Sequence, residues 1–339
     1  ITVASLPKNI QPSAQDEDIQ SAQMMVNAYV ADDTIDVCVY DINTMTASMI
    51  DDGVLEQHIY NADAGVSGAS VAQRDWTIYD DEYGLSKMTD SERQYYHRLE
   101  DAAVQYISDN TLDAFYVSSY DLYVTNGINY SELGLSRTDA IDVARYFLYN
   151  NPQYYFLKAH FLSSSTAVYI GCYDAFVHGS DRAEATNRVF DVIDQWIVSI
   201  NDDEITAYDK LLSAHNLLCN ELDYVNGDFD QSIYSAAVQK ETVCAGYAEA
   251  LSLMLNASGV SSTTVVSDSH AWNCVQLDDG IYYGVDSTWD DILGGHMLLA
   301  VGQSDITKYD KAVEHIAITP WTEWAPVMSD VSYSVSTAS

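Results

Sequence analysis

Asp278-Asp279-Gly280 stands between two alternating runs, residues 270–277 and 281–286. An Asp-Gly pair in that setting predicts a hairpin, because glycine takes the positive φ the turn needs. Thr263-Thr-Val-Val-Ser267 just upstream is short and β-branched, and predicts a further strand. Ahead of it, residues 246–256 carry Tyr247, Ala248, Leu251, Met254 and Leu255 at the spacing of a buried helix, with Gly259 as its stop. Helix, strand and hairpin in this order leave little freedom in how residues 244–286 can fold.

Chemistry-bearing residues fall at particular points of that pattern. Cys244 lies in the first turn of the helix, where unpaired N–H groups and the positive end of the dipole favour a thiolate. Gly246 is expected at a tight entry into the helix, where a side chain would crowd an approaching substrate. His270 opens one hairpin strand and Asp286 closes the other, so pairing can bring the carboxylate beside the imidazole. Trp272 and Cys274 share the face of His270 by period-2 alternation, Cys274 as a packing residue. A single buried Cys is usually a small hydrophobe, and a single strand His is usually hydrogen-bonded core. The joint occurrence of Cys244, His270 and Asp286 with the helix start sets this trio apart, with Asp290 or Asp291 as substitutes should Asp286 point away.

Those residues, in the stretches Thr242-Val-Cys-Ala-Gly-Tyr-Ala-Glu-Ala250 and 269–291, resemble the core of the transglutaminase-like superfamily, over residues 205–300. The resemblance extends to the amphipathic stretch 207–225, with His215 on its apolar face as a core residue, and to the segment 231–238 ahead of the cysteine. It implies an α+β fold: a papain/transglutaminase-like core in which the Cys-bearing helix packs on an antiparallel sheet carrying His and Asp. The expected division is an N-terminal mixed α/β accessory region, 1–180, and a catalytic domain, 181–339. It further implies Cys244, His270 and Asp286 as catalytic residues. The oxyanion donor stays open among the Cys244 N–H, Tyr224 and Tyr234, with Trp272 and Trp289 as pocket residues.

Composition narrows the partners. The 339 residues hold 14 Lys and Arg against 51 Asp and Glu, a net charge of −37. Such a surface argues against nucleic acids and anionic membranes, whose phosphates demand cations. No Lys or Arg occurs between Glu241 and Thr307, which is solvation of an acidic protein or an acidic mouth for cationic substrates. No stretch approaches the ~18 apolar residues of a membrane span. Five widely spaced cysteines without a Cys-x-x-Cys pair speak against zinc. Without an Asp-x-Asp-x-Asp-Gly loop, calcium could be held only by scattered carboxylates. No cofactor or metal is expected. The opening Ile-Thr-Val-Ala-Ser reads as a processed chain, and the acidic, Tyr-rich composition as a secreted or cell-surface bacterial protein.

Toward the N-terminus, residues 15–30 predict a helix and 61–72 a linker. Thr89-Asp-Ser-Glu92 and Ser136-Arg-Thr-Asp139 predict helix starts ahead of 95–107 and 140–149. Residues 154–162 and 166–173 predict paired strands, and 181–200 a helix with Val189, Ile193, Trp196 and Ile200 inward. The polar end, 329–339, is expected to fray. Taken together, the expected function is cysteine-dependent acyl transfer on peptide or protein amides through a thioester, as a peptidase or amidase. The alternatives are a protein-crosslinking transglutaminase and a non-catalytic cell-surface binding module. Substrates are expected to be peptides or proteins, cationic or cell-wall associated.

Overall fold

The computed structural model describes residues 38–41, 59, 74–201, 205–309 and 314–334. The expected helix at 15–30 and linker at 61–72 lie outside these residues. Helices are α1 (Glu82–Lys87), α2 (Asp90–Ser108), α3 (Arg137–Asn150), α4 (Gly179–Ile200), α5 (Ala207–Glu221), α6 (Cys244–Ala257), α7 (Ser287–Leu293), α8 (Gln303–Tyr309) and α9 (Trp321–Trp324). Strands are β1 (Cys38–Asp41), β2 (Phe115–Val117), β3 (Leu122–Val124), β4 (Ile128–Asn129), β5 (Leu157–Ser163), β6 (Ala167–Cys172), β7 (Asp223–Tyr224), β8 (Glu241–Thr242), β9 (Ser262–Val266), β10 (Ala271–Gln276) and β11 (Tyr282–Val285). The chain is mixed α and β, with mainly antiparallel sheets.

Local chemistry places the helix starts. Thr89 Oγ1 accepts the Glu92 N–H and Glu92 returns a carboxylate to the Thr89 N–H, a closed capping box at the head of α2. Ser136 with Asp139 opens α3 in the same way, and Thr206 with Asp209 opens α5. Each satisfies first-turn donors that would otherwise lack partners. Helix α3 stops at Asn150, ahead of Asn151-Pro152, where proline disfavours a helical residue before it. Residues 154–162 were expected to be strand throughout. Pro152–Tyr154 instead forms a 3-10 turn, and β5 begins only at Leu157. It then pairs antiparallel with β6 as expected, across a bulge between Lys158 and Phe161.

One sheet has the order β1-β5-β6-β3-β2, with β4 also on β6 and β1 parallel to β5. The second, β11-β10-β9, is antiparallel throughout. Helix α6 packs on this second sheet and is buried from Cys244 to Leu255, so its sequence is apolar all round rather than striped. Polar atoms between helix and sheet pair with one another: Asn273 Nδ2 donates to Ala248 O at 2.9 Å and to Ser252 Oγ at 2.8 Å. On the free side of β9, Asn150 accepts the Thr264 N–H at 2.8 Å and donates to Thr264 O at 3.3 Å, which closes that edge. Among the described residues the larger buried core runs from Trp76 to Trp324 through both sheets and α2–α6, and a smaller one gathers Val117, Leu122, Val124, Leu162, Ala167 and Tyr169.

The hairpin turn differs in length from a two-residue Asp-Gly turn. Leu277 N bonds Ile281 O at 3.0 Å, which leaves a three-residue loop with Gly280 at φ +77. The C-terminal segment expected to fray is tied down as far as Tyr333. Ser329 N bonds Tyr282 O at 2.8 Å and Tyr333 N bonds Ala300 O at 2.9 Å. Among the described residues no helix is long and apolar enough to cross a membrane.

Candidate active site

Cys244 is the first residue of α6, and the preceding N-cap, Val243, has no side chain able to cap. The first-turn N–H groups therefore keep their positive field for the sulfur beside them. Gly246 sits at the tight helix entry its position predicts. A Cβ there would collide with the Thr242 hydroxyl, which is held by Asp230 O at 2.9 Å and by Ser235 Oγ at 2.6 Å. The glycine lets the helix start close against β8.

His270 lies one residue ahead of β10, in the turn after β9. Its N–H donates to Ser267 Oγ at 3.0 Å and its carbonyl accepts the Ser267 N–H at 2.9 Å, so its backbone is clamped. Asp286 lies one residue past β11 as the N-cap of α7, and not within a strand. Its Oδ1 accepts the Trp289 N–H at 3.0 Å, which turns Oδ2 toward the imidazole. His270 Nε2 meets that oxygen at 2.7 Å. The bond puts the proton on Nε2 and leaves Nδ1 as the ring nitrogen for the thiol of Cys244. The Cys244 sulfur is near enough to raise the proton affinity of the imidazole, although Nδ1 makes no hydrogen bond. Loose contact of this kind is common before substrate binds.

Burial alone would pull the imidazole down, but the Asp286 carboxylate outweighs it, and His270 is held well above its ordinary value. Burial likewise penalises the Asp286 carboxylate. The His270 and His315 rings more than offset that, so Asp286 lies well below the usual carboxylate range. Cys244 and His270 are both 0 % exposed.

His315 is a member of this site that sequence reasoning missed. Its Nε2 bonds Asp286 Oδ2 at 2.9 Å, so two imidazoles share one carboxylate oxygen. The ring stands edge-on to His270, Trp272 and Trp289, with centroids 5.2, 5.2 and 5.1 Å away. Nothing in the sequence near His315 marks it, because the contact spans 29 residues and no regular element carries it. The ligand atoms of His270, Asp286 and His315 all lie within 4.8 Å of one another, so these three could hold a metal ion. Their mutual hydrogen bonds give each a partner without one.

Trp272 stacks on His270 at 6.2 Å and 12°, and Trp289 is 6.4 Å from it. Both indole N–H groups are buried without an acceptor. Tyr224 pairs in β7 opposite Thr242, two residues from the cysteine. Tyr234 packs among Tyr155, Phe176 and Phe229, in an aromatic cluster.

A second Cys-His-Asp chain lies close by. Cys219 Sγ is 3.8 Å from His215 Nδ1, and His215 Nε2 is 3.1 Å from Asp290 Oδ2. Its thiol belongs to the last turn of α5, where the dipole opposes a negative charge. Burial and the Asp291, Asp290 and Asp286 charges push it up to about 12. Cys219 is a thiol donating to Ser287 O at 3.5 Å, not a nucleophile. His215 is the satisfied core residue its apolar face suggested.

Beside α6 lies a cavity of about 570 Å³ with Tyr149, Tyr173, Gln231 and Glu249 in its wall. Burial raises the Glu249 carboxyl well above its ordinary value, against one bond from the Ile233 backbone. A raised acid stabilises the fold fully below the unfolded value of ~4.3, and that contribution is lost as pH rises through the folded value. Glu249→Gln is therefore expected to gain on wild type as pH rises, by more than ~1 kcal/mol between about pH 5 and pH 8. Denaturant melts at the two pH values read this difference. A wild-type-minus-variant gap that ignores pH would remove the buried acid from the account.

No protein-family model and no curated protein matches the chain. A solved structure described as "Crystal structure of a TGase" aligns with 36 % of this chain and 41 % of its own length, at 16 % identity and a TM-score of 0.27. The match spans less than half of that protein, and a likeness of this size carries no argument for fold or activity.

Proposed function

We propose that the chain is a cysteine-dependent acyl transferase acting on peptide or protein amides, with hydrolysis as its main outcome. The observation that carries this reading is the run from the Cys244 thiol through His270 to Asp286 Oδ2, with 2.7 Å between imidazole and carboxylate. Cys244 gives its proton to His270 Nδ1, and the sulfur attacks the amide carbon. The oxyanion has the Cys244 N–H and the acceptor-free Trp272 and Trp289 indoles as candidate donors. When the C–N bond breaks, His270 returns the proton to the leaving amine and a thioester remains. Water, deprotonated by His270, releases the acid and regenerates the thiol. A primary amine in place of water would form a new amide instead, which is the transglutaminase outcome.

Full burial of the triad favours one other reading, a binding module that retains these residues unused. Incubation with glutamine- and amide-containing peptides, with and without a primary amine, separates the readings by product mass. Hydrolysis products are expected. Amine adducts would shift the reading to transamidation. Absence of turnover, together with iodoacetamide labelling Cys244 no faster than Cys219, would leave the binding module.

A further inference from the structure

His315 enters the site from the irregular chain between α8 and α9. The residues after it are tied down twice. Ile318 N bonds Val266 O, at the end of β9, at 3.1 Å, and Arg145 Nη1 donates to Thr319 O at 3.1 Å. His315 is 3 % exposed, and its ring stands at 86° to His270, 74° to Trp272 and 71° to Trp289. Packing on three sides fixes where Nε2 points, and it points at Asp286 Oδ2 from 2.9 Å.

Oδ1 of Asp286 takes the Trp289 N–H at 3.0 Å, while Oδ2 takes Nε2 of His270 at 2.7 Å and Nε2 of His315 at 2.9 Å. A carboxylate oxygen offers two lone-pair sites, so both sites on Oδ2 are used. A carboxylate only accepts, so each of the two rings carries a proton on Nε2. The nearby ionisable groups have partners of their own. Asp290 accepts from Leu298 N at 2.9 Å and lies 3.1 Å from His215 Nε2. Asp291 accepts from the Tyr247 hydroxyl at 2.6 Å, and the Cys219 thiol donates to Ser287 O at 3.5 Å. The negative charge on Oδ2 is therefore divided between two imidazole N–H groups.

We infer that His315 is a positioning residue for the acyl transfer proposed above, on which this role rests: its Nε2–H holds Asp286 Oδ2 toward His270 and takes a share of that oxygen's charge, so that His270 can release the proton it accepts from Cys244. The proton passes from the Cys244 sulfur to His270 Nδ1 and on to the leaving nitrogen, while His315 keeps its own. Against its burial, the Asp286 charge already holds His270 well above its ordinary value. With Oδ2 to itself, the His270 ring would take the thiol proton more readily and return it less readily. The second donor draws off part of that charge, and its N–H dipole turns its positive end toward the neighbouring ring. A His315 that served only to fill the slot beside Trp272 and Trp289 would have no such effect, and phenylalanine would fill the slot as well.

His315→Phe keeps a ring in the slot and removes the donor, whereas His315→Gln keeps an N–H that can reach Oδ2. Two rates are measured on the full chain at about pH 7: amide turnover, which needs the proton returned, and iodoacetamide alkylation of Cys244, which needs only the thiolate. In His315→Phe, turnover is expected to fall about 10- to 100-fold through kcat, with KM within about twofold, while alkylation rises about threefold or more. His315→Gln is expected to recover most of the lost turnover and to bring alkylation back toward wild type. Both rates falling together, or neither moving, would overturn the proposal, as would a glutamine variant no better than the phenylalanine one. Alkylation that rises in a chain with no turnover at all would support the hold of His315 on the Asp286–His270 pair and count against acyl transfer itself. Should His315→Phe fail to fold, nitrogen-15 spectra of the wild-type imidazoles decide. Protons on Nε2 of both His270 and His315 are expected, and a His315 bare at Nε2 would overturn the assignment.

Discussion

Cys244→Ala lowers amide turnover by ~10⁴-fold or more while leaving the melting temperature within a few degrees of wild type. No other thiol near the site is set up to attack. Cys219 is pushed up to about 12 at the wrong end of a helix, and burial does the same to Cys274. Loss of one sulfur from the buried start of α6 costs ~1 kcal/mol, because alanine keeps the helix and leaves only a small void. Cys219→Ala and Cys274→Ala should remain active. Turnover and melting are measured together on all three variants. Undiminished activity in Cys244→Ala would end the nucleophile assignment, whatever the other two do.

Asp286 should show the second large effect, and on two axes. Asp286→Asn keeps the shape but presents an amide to two imidazole N–H groups, so His270 loses its fixed tautomer; turnover should fall ~10³–10⁴-fold. Asp286→Ala also removes the α7 cap and strands both rings in the interior, with a loss of ~3–5 kcal/mol. Stability against pH provides the signature. The depressed Asp286 carboxylate stabilises the fold above its unfolded value of ~3.9, and that contribution is lost as pH falls through the folded value. The raised His270 stabilises the fold below its unfolded value of ~6.5, and that contribution is lost as pH rises through the folded value. The contribution of this pair should therefore fall away on both sides of a range running from ~4 to above ~6.5, and the wild-type-minus-Asp286→Asn difference should show both limbs. An unchanged pH profile in the variant would separate the carboxylate from the imidazole.

Local signals carried the elements that hold the site. The Thr89/Glu92 and Ser136/Asp139 boxes start helices where their spacing requires, and Gly280 takes the positive φ of the hairpin loop. Cys244 at a helix start and His270 and Asp286 at facing hairpin ends follow from the same short-range rules, since register across a tight turn is fixed by the turn itself. What those rules could not reach depended on side chains from distant segments. His315 reaches Asp286 from an irregular segment, and Thr242 dictates Gly246. Burial decides the charge state of Glu249 and Cys219, and neither helix advertises which neighbours will exclude water from them. Period and cap are properties of a few adjacent residues. Desolvation and convergence belong to the packed whole, and only the tertiary structure could decide them.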